Sequence, residues 1–151
     1  MNPFSGRQDM GKRGGIFSAS FLVLILVYVL QQNSYFHLFF GTTFEAHPYT
    51  IFIFNKSIRL ILNDTACLFI IYALFYDMKY VRLGGYVQLL EMFIILPFYF
   101  IVKLSIEGDT EISSPLLSQL HRLIINPTLM ILLMIGFYIQ NKKKQLIKAA
   151  F

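Results

Sequence analysis

The chain has 151 residues, of which 56% are hydrophobic and only 14% are charged, and its formal net charge is +5. A soluble domain carries about 25% charged residues, so this composition excludes an ordinary soluble domain and is typical of a polytopic membrane protein. The length leaves room for one helical bundle without a separate soluble domain. The basic residues stand at the ends of apolar segments, where membrane topology explains them, so the net charge does not indicate nucleic-acid binding.

The first apolar segment runs from Ile16 to Leu30 and follows three basic residues, Arg7, Lys12 and Arg13. This arrangement is similar to a secretory signal peptide, but the residues after Leu30 read QQNSYF and do not form a small-residue cleavage site. We therefore expect a retained transmembrane helix over residues 16–34. A polar cytoplasmic tail is expected before it, over residues 1–15.

Residues 31–55 combine many aromatic side chains with polar groups and are interrupted near Gly41 and Pro48. Aromatic rings with polar neighbours suit the membrane–water interface. We expect a short aromatic interfacial segment here, in one or two pieces on the outer surface, and a short extra span is the alternative. His37 and His47 in this region do not form a recognisable metal-ligand spacing, so no metal site is predicted.

The second apolar segment, over residues 57–76, has about the length that an α-helix needs to cross a membrane. Polar residues interrupt it at Arg59, Asn63, Asp64 and Cys67. Lys56, Arg59, Asn63 and Cys67 stand three or four residues apart and therefore share one helical face. Because a charge in hydrocarbon costs about 2.5–3.5 kcal/mol on insertion scales, this face is expected to contact protein or water rather than lipid.

Two further spans are predicted over residues 84–102 and 120–140. Pro97 is expected to kink the third span toward its outer end. Residues 77–82 between the second and third spans form a short charged turn in this interpretation. Residues 103–119 before the fourth span are expected to form an aqueous loop.

The predicted fold class is all-α: a polytopic membrane domain of four transmembrane helices over residues 16–143, with a second cytoplasmic tail over residues 144–151. An even number of spans places both termini on one side, together with the turn at residues 77–82. That side carries most of the 13 Lys and Arg residues, which the positive-inside rule assigns to the cytoplasm. They are Arg7, Lys12, Arg13, Lys79, Arg82, Lys142, Lys143, Lys144 and Lys148.

The polar residues of the second and fourth spans are expected at similar depths near the outer face, counting about 1.5 Å per residue along each helix. This candidate layer consists of Arg59, Asn63, Asp64, His121, Arg122 and Asn126. In this arrangement Arg122 or Arg59 can serve as the counter-ion of Asp64. The layer is interpreted either as a binding or catalytic site or as a structural clamp that sets helix register, with arginines reaching toward the headgroups.

Gln88 and Glu91 share one face of the third span and are secondary candidates. We expect them in the inner half of that span, too deep to join the polar layer without a large tilt. An ion path would need several such groups in line, so Asp64 and Glu91, on opposite halves, do not favour a transporter.

Cys67 is the single cysteine, so neither an intrachain disulfide nor a cysteine-based metal cluster is possible. A lone cysteine in a helix is usually a small packing residue. The alternative is a nucleophile activated by His121 and Arg122. The sequence contains no glycine-rich phosphate loop, HExxH motif or GxSxG motif, and no cofactor is predicted.

Three stretches combine apolar runs with distinctive polar residues: IRLILNDTACLFIIYALFYDMKYVR from Ile58, ILPFYF from Ile95, and HRLIINPTLMILLMIGFYIQ from His121. Together with the aromatic SYFHLFF stretch, they resemble the exosortase F system-associated proteins. These are small multi-span membrane proteins of Gram-negative bacteria of the Bacteroidota type. The resemblance covers most of residues 16–143.

The resemblance implies an accessory protein of the bacterial inner membrane whose partner is an exosortase, a multi-span transpeptidase-like enzyme that uses a Cys, an Arg and a His. This chain is shorter than such an enzyme, and Cys67 lacks the Cys-Ser-Gly surroundings of its nucleophile. We therefore expect a non-enzymatic protein that docks to an exosortase-like partner in the lipid bilayer through the polar residues of the second and fourth spans. The alternatives are a small intramembrane enzyme using Cys67, His121 and Arg122, and a lipid- or ion-handling protein using Asp64 and Glu91.

Overall fold

The computed structural model describes residues 5–41, 46–108 and 114–150, and this part of the chain is helical throughout apart from short connections. A 3₁₀ turn at Leu30–Gln32 follows the first helix, and a π-helical turn at Glu91–Ile95 joins the fourth helix to the fifth. The α-helices are α1 Ser5–Val29, α2 Tyr35–Phe40, α3 Pro48–Phe75, α4 Met78–Leu90, α5 Leu96–Ile106, α6 Pro115–Ile125 and α7 Thr128–Ala150.

Three helical segments are long and apolar enough to cross a membrane: Met10–Gln32, Pro48–Phe75 and Met78–Ile106. A fourth candidate is the pair Pro115–Ile125 and Thr128–Ile147, whose axes are bent by 59° at the break between them. The predicted all-helical membrane class is therefore confirmed with three or four candidate spans among the described residues. The helical ends differ from the expected tails, since α1 is already helical at Ser5 and α7 remains helical to Ala150.

Helix α3 is the central element of the bundle and contacts α1, α2, α4, α6 and α7. Its buried residues recur every three or four positions and include Leu60, Asn63, Asp64, Cys67 and Ile71. The helix begins at Pro48 rather than near residue 57, because His47 caps it and proline suits the first helical position. Residues 48–55 therefore belong to the central helix and not to a separate surface segment.

The short helix α2 is the remaining part of the aromatic segment that the structure describes, since residues 42–45 lie outside the described ranges. It packs on α3, where Asn55 Oδ1 accepts a hydrogen bond from Phe36 N at 2.7 Å, and Asn55 Nδ2 donates to Ser34 Oγ at 3.1 Å. The Tyr35 hydroxyl donates to Val27 O at 3.4 Å, and burial raises the pKa of Tyr35 above its ordinary value.

The connection between α3 and α4 is a tight turn rather than the predicted charged turn over residues 77–82. Tyr76 ends α3 in the left-handed conformation with φ 49°, and the Asp77 carboxylate caps α4 by accepting from Lys79 N at 2.9 Å. The third span therefore begins at Met78 instead of residue 84. Gly84 then packs directly on α3, where an added Cβ would lie 2.7 Å from Leu68 Cδ2.

The third span continues through Pro97 to Ile106, and its irregularity is a π turn that begins at Glu91. Within this turn Leu96 N donates to Glu91 O, one residue further back than in an α-helix. Proline lacks an N–H group, so the regular helical bond pattern has to be interrupted close to Pro97. The irregular stretch thus lies before the proline, in the middle of the span.

The helix predicted for the fourth span over residues 120–140 is interrupted in the structure, because α6 and α7 are separated at Asn126 and Pro127. Asn126 is extended, with φ −88° and ψ 152°, since the residue before a proline is disfavoured in the helical conformation. The predicted aqueous loop over residues 103–119 is also shorter than expected, because α5 continues to Ile106 and α6 begins at Pro115. Residues 109–113 of that loop lie outside the described ranges.

The start of α1, the α3–α4 turn and the middle of α7 lie at the same end of the bundle. Arg13 on α1 donates to Ala73 O at 3.1 Å through Nε and to Leu74 O at 3.2 Å. Its guanidinium also lies 5.1 Å from the centre of the Tyr76 ring. A cation at the carbonyl end of α3 is favourable, so Arg13 fixes α1 antiparallel to α3. Phe137 of α7 packs on Tyr80 with 4.6 Å between ring centres.

Candidate functional site

Arg59 of α3 lies where the end of α1 meets the break between α6 and α7. Its guanidinium donates to Gln31 Oε1 at 2.9 Å and to Asn126 Oδ1 at 3.3 Å. The Arg59 Nε atom is buried and has no hydrogen-bond partner among the described residues. Both acceptors are neutral amides, so the described residues supply no carboxylate to this cation. The expected pairing of Arg59 with Asp64 is therefore not formed.

Asn63, one helical turn further along α3, contacts the end of α6 at the α6–α7 break. Its side chain is buried, and Nδ2 donates to Ile125 O at 3.1 Å. The break after Ile125 removes the regular helical donor for this carbonyl, so the Asn63 amide replaces a lost backbone bond. This bond joins α3 to α6, and it matches the structural clamp that was one interpretation of the polar layer.

A groove of about 260 Å³ lies between α1 and the α6–α7 break. We call it the Arg59 groove, and its lining residues are Leu24, Tyr28, Arg59, Asn63, Asn126 and Pro127. Tyr28 and Asn126 are exposed, so the groove opens at the surface of the bundle. A half-buried cation that lines a surface groove is able to bind an acceptor group that comes from outside the chain.

The structure brings together three members of the predicted polar layer, Arg59, Asn63 and Asn126, and places the other three elsewhere. Arg122 is exposed, and its side chain makes no hydrogen bond or ion pair with the described residues. Its backbone carbonyl accepts from Asn126 N at 3.3 Å. The expected ion pair between Asp64 and Arg122 is therefore absent from the described part of the chain.

His121 belongs to a second polar group, which lies between α5, α6 and the first turns of α3. Its Nδ1 atom is 2.6 Å from the hydroxyl of Tyr99, which is fully buried. Lys103, also fully buried, donates to Gly108 O, and its ammonium lies 4.8 Å from the centre of the Phe52 ring. These contacts bind the end of α5 to α3 and α6.

Sequence reasoning missed Tyr99 and Lys103 in this group. A signal was available, because Leu96, Tyr99 and Lys103 are spaced by three and four residues and so share one helical face. Lys103 stands at the boundary of the predicted aqueous loop, so the span expected over residues 84–102 does not include it.

Asp64 and Glu91 form a pair of carboxyl groups in the interior, which corrects the expected depth of Glu91. The side chains are 2% and 1% exposed and lie within hydrogen-bonding reach of one another. The expectation was wrong because the third span begins at Met78. Asp64 and Glu91 then stand at nearly equal chain distances on either side of Asp77, so the antiparallel helices carry them to the same depth.

Gln88 also faces α3, as expected from its spacing with Glu91. Its Nε2 atom donates to Thr65 Oγ1 at 3.2 Å, beside the carboxyl pair. The structure therefore places both secondary candidates in one contact between α3 and the third span.

Cys67 is fully buried, and its charged neighbours are the two acids of this pair. A thiolate is favoured by nearby cations or a base, so two neighbouring carboxyl groups do not activate it. His121 is bound to Tyr99 instead, and the described residues show no contact between Cys67 and His121. The arrangement required for the proposed nucleophile is not formed.

His37 and His47 have structural contacts with their neighbours among the described residues. His47 Nδ1 accepts from Tyr49 N at 3.3 Å at the start of α3, and the His37 ring lies edge-on to Phe36. Among the described residues, no group of three or more His, Cys, Asp or Glu side chains is arranged to hold a metal ion.

Comparisons with protein-family models, with curated proteins and with solved structures return no match to this chain. The features that bear on function are therefore the two polar sites, the Arg59 groove and the Asp64–Glu91 pair, together with the resemblance in the sequence.

Proposed function

We propose that the protein is a non-enzymatic accessory subunit of a membrane complex, and that it docks to a multi-span partner through the Arg59 groove. In this proposal α6 and α7 together form the fourth span. The spans then leave both termini on one side of the membrane with the α3–α4 turn, and the excess of basic residues supports the cytoplasmic side. The helix α2 lies at the opposite, outer interface.

The resemblance to exosortase F system-associated proteins supports the location and the partner class. The membrane is then the inner membrane of a Gram-negative bacterium, and the partner is an exosortase-like protein. Within the described part of the chain Cys67 is buried beside two acids and His121 is bound to Tyr99, an arrangement that supports an accessory role rather than a small intramembrane enzyme.

The single observation that carries the docking proposal is the incomplete set of partners around Arg59. A charged side chain at membrane depth is costly unless it is paired, at about 2.5–3.5 kcal/mol on insertion scales. Gln31 and Asn126 accept hydrogen bonds from the guanidinium, while the described residues offer no acceptor to the buried Nε atom. A carboxylate or an unpaired backbone carbonyl on a partner helix in the groove would complete these bonds.

This proposal narrows the interface expected from the sequence. Arg59, Asn63 and Asn126 line the groove, and the exposed Arg122 side chain lies in the neighbouring turn of α6. Asp64 and His121 are bound in interior contacts, so they support the fold instead of contacting the partner.

Site-specific photo-crosslinking in native membranes tests the docking surface. Tyr28, which lines the groove and is 67% exposed, is replaced by p-benzoylphenylalanine. Tyr86 on α4 is 62% exposed and provides a matched position outside the groove. We expect a crosslink to a multi-span protein from position 28 and none to that protein from position 86. Crosslinks to lipid alone, or equal crosslinks from both positions, would contradict docking at this surface.

The contribution of the cation is measured by co-purification of the crosslinked partner with Arg59→Gln. Loss of one charge-assisted hydrogen bond, worth about 1.5–3 kcal/mol, lowers partner recovery roughly 10- to 100-fold at limiting concentration. Arg82→Gln removes an exposed arginine from α4 and serves as the control. Unchanged recovery with correctly folded Arg59→Gln would show that Arg59 does not bind the partner.

A further inference from the structure

We propose that Asp64 and Glu91 form a proton-binding site in the middle of the bundle, in which one proton is shared between the two carboxyl groups. This site is separate from the Arg59 groove, and the proposal does not depend on docking to a partner. Neither the proton nor its site follows from the spacing of the acids in the sequence.

The first observation is that the described residues supply no donor to three of the four carboxyl oxygens. Asp64 Oδ2 and both oxygens of Glu91 are buried and accept no hydrogen bond from the described residues. The two groups nevertheless lie within hydrogen-bonding reach of each other. Two carboxylates are both acceptors, so the contact becomes a hydrogen bond only when one of the groups carries a proton.

The second observation is the absence of a compensating cation around the pair. Arg59, on the same helix, is directed to Gln31 and Asn126. Within the described residues, no charged side chain of α1, α6 or α7 interacts electrostatically with either carboxyl group. Besides the two acids themselves, the titratable group that faces them is the thiol of Cys67. Two negative charges in contact would be uncompensated here, and like-charged carboxyl pairs avoid this state by retaining a proton.

The third observation is the backbone at Glu91. The π turn begins at this residue, and π turns inside α-helices are frequent at functional sites. The Gln88 amide beside it is bound to Thr65 Oγ1 and so is directed to the hydroxyl rather than to the carboxyl groups. The irregular turn and its neighbours therefore leave Glu91 facing Asp64, so that the hydrogen on one group can donate to the other.

The shared proton links the packing of α3 and the third span to pH. When the proton is present, one O–H group donates to the opposite carboxylate and holds the two helices together. When it is lost, two carboxylates repel each other at the same contact. An unfolded chain exposes both groups to water and releases the proton at lower pH, so the folded protein loses stability as pH rises.

Infrared spectroscopy of the purified protein at neutral pH tests the bound proton directly. We expect the carbonyl band of a protonated carboxylic acid, with an intensity of one acid group per chain and a shift in heavy water. The double substitution Asp64→Asn and Glu91→Gln should remove this band, whereas Asp77→Asn should leave it unchanged. A spectrum without the band, or a band of two acid groups per chain, would overturn the sharing of one proton.

Thermal unfolding in detergent provides a second test. In Glu91→Gln the amide N–H group can donate to the Asp64 carboxylate and so replaces the shared proton without changing the shape of the pair. We expect the unfolding temperature of the wild type to fall as pH rises above neutral, while that of Glu91→Gln changes much less. Parallel pH profiles for the two proteins would contradict the proposal. Asp64→Asn places the amide on the other member of the pair. The same weak pH dependence in this variant would show that the effect belongs to the pair and not to a folding defect at position 91.

Discussion

The bond from Asn63 to the end of α6 offers a quantitative test of the polar clamp. Asn63 Nδ2 donates to Ile125 O at 3.1 Å, and both residues are buried. The substitution Asn63→Leu keeps the number of side-chain heavy atoms but removes the donor, so it separates the hydrogen bond from the filled volume. The Ile125 carbonyl then loses its side-chain donor beside the break.

The expected loss of stability comes from leaving the buried Ile125 carbonyl without its side-chain donor. A buried acceptor without a donor costs about 1–3 kcal/mol in soluble proteins. Interhelical hydrogen bonds in membranes contribute less, with an average of about 0.6 and a maximum of about 1.7 kcal/mol. The expected change in the free energy of unfolding for Asn63→Leu is therefore about 1–2 kcal/mol. Asn63→Ala should cost more, because it also leaves a cavity next to Ile125.

Reversible unfolding in mixed micelles measures these differences, with Leu62→Ala as the control on the exposed face of α3. Leu62 is 37% exposed, so its truncation should change the free energy of unfolding less than Asn63→Ala does. If Asn63→Leu unfolds with the same free energy as the wild type, the bond does not stabilise the bundle. The break between α6 and α7 would then have to be held by apolar packing alone.

Three further substitutions test other contacts. Gly84→Val places a branched side chain where even an added Cβ would lie 2.7 Å from Leu68 Cδ2, so we expect a destabilisation of about 1–3 kcal/mol, measured by thermal unfolding. Arg13→Gln removes the cation that binds two α3 carbonyls, and limited proteolysis should then cleave near the start of α1 faster than in the wild type, whereas equal rates would refute this anchor. Tyr99→Phe removes the hydroxyl 2.6 Å from His121 Nδ1 and should cost about 1–3 kcal/mol, and an unchanged unfolding temperature would contradict a role for this bond.

The two polar sites differ in what they can contact. The Arg59 groove opens at the surface between α1 and the α6–α7 break, so a group from another molecule can reach it. The Asp64–Glu91 pair is sealed between α3 and the third span, so its binding partner has to be as small as a proton. Docking and proton binding can therefore be tested by separate variants.

The sequence determined the class of this protein, because hydrophobic content and the lengths of apolar runs depend on local composition alone. The same local reasoning identified Arg59, Asn63 and Asp64 as polar interruptions of one helix, and the structure places all three in contacts with neighbouring elements. It placed helix ends less well, since the cap at Asp77 and the break at Asn126 depend on backbone geometry that apolar periodicity does not report. Each error in a helix end also changes the depth assigned to every residue that follows.

Only the tertiary structure decided which polar groups meet. A helical face is defined by spacing along one chain segment, whereas a pair such as Asp64 and Glu91 depends on where two helices begin and how far they are offset. The tight turn at Asp77 and the close approach at Gly84 set that offset. They bring the two acids together, while Arg59 binds the side-chain amides of Gln31 and Asn126. The physical reason is that helix packing sets these distances, which the separation of residues along the sequence does not determine.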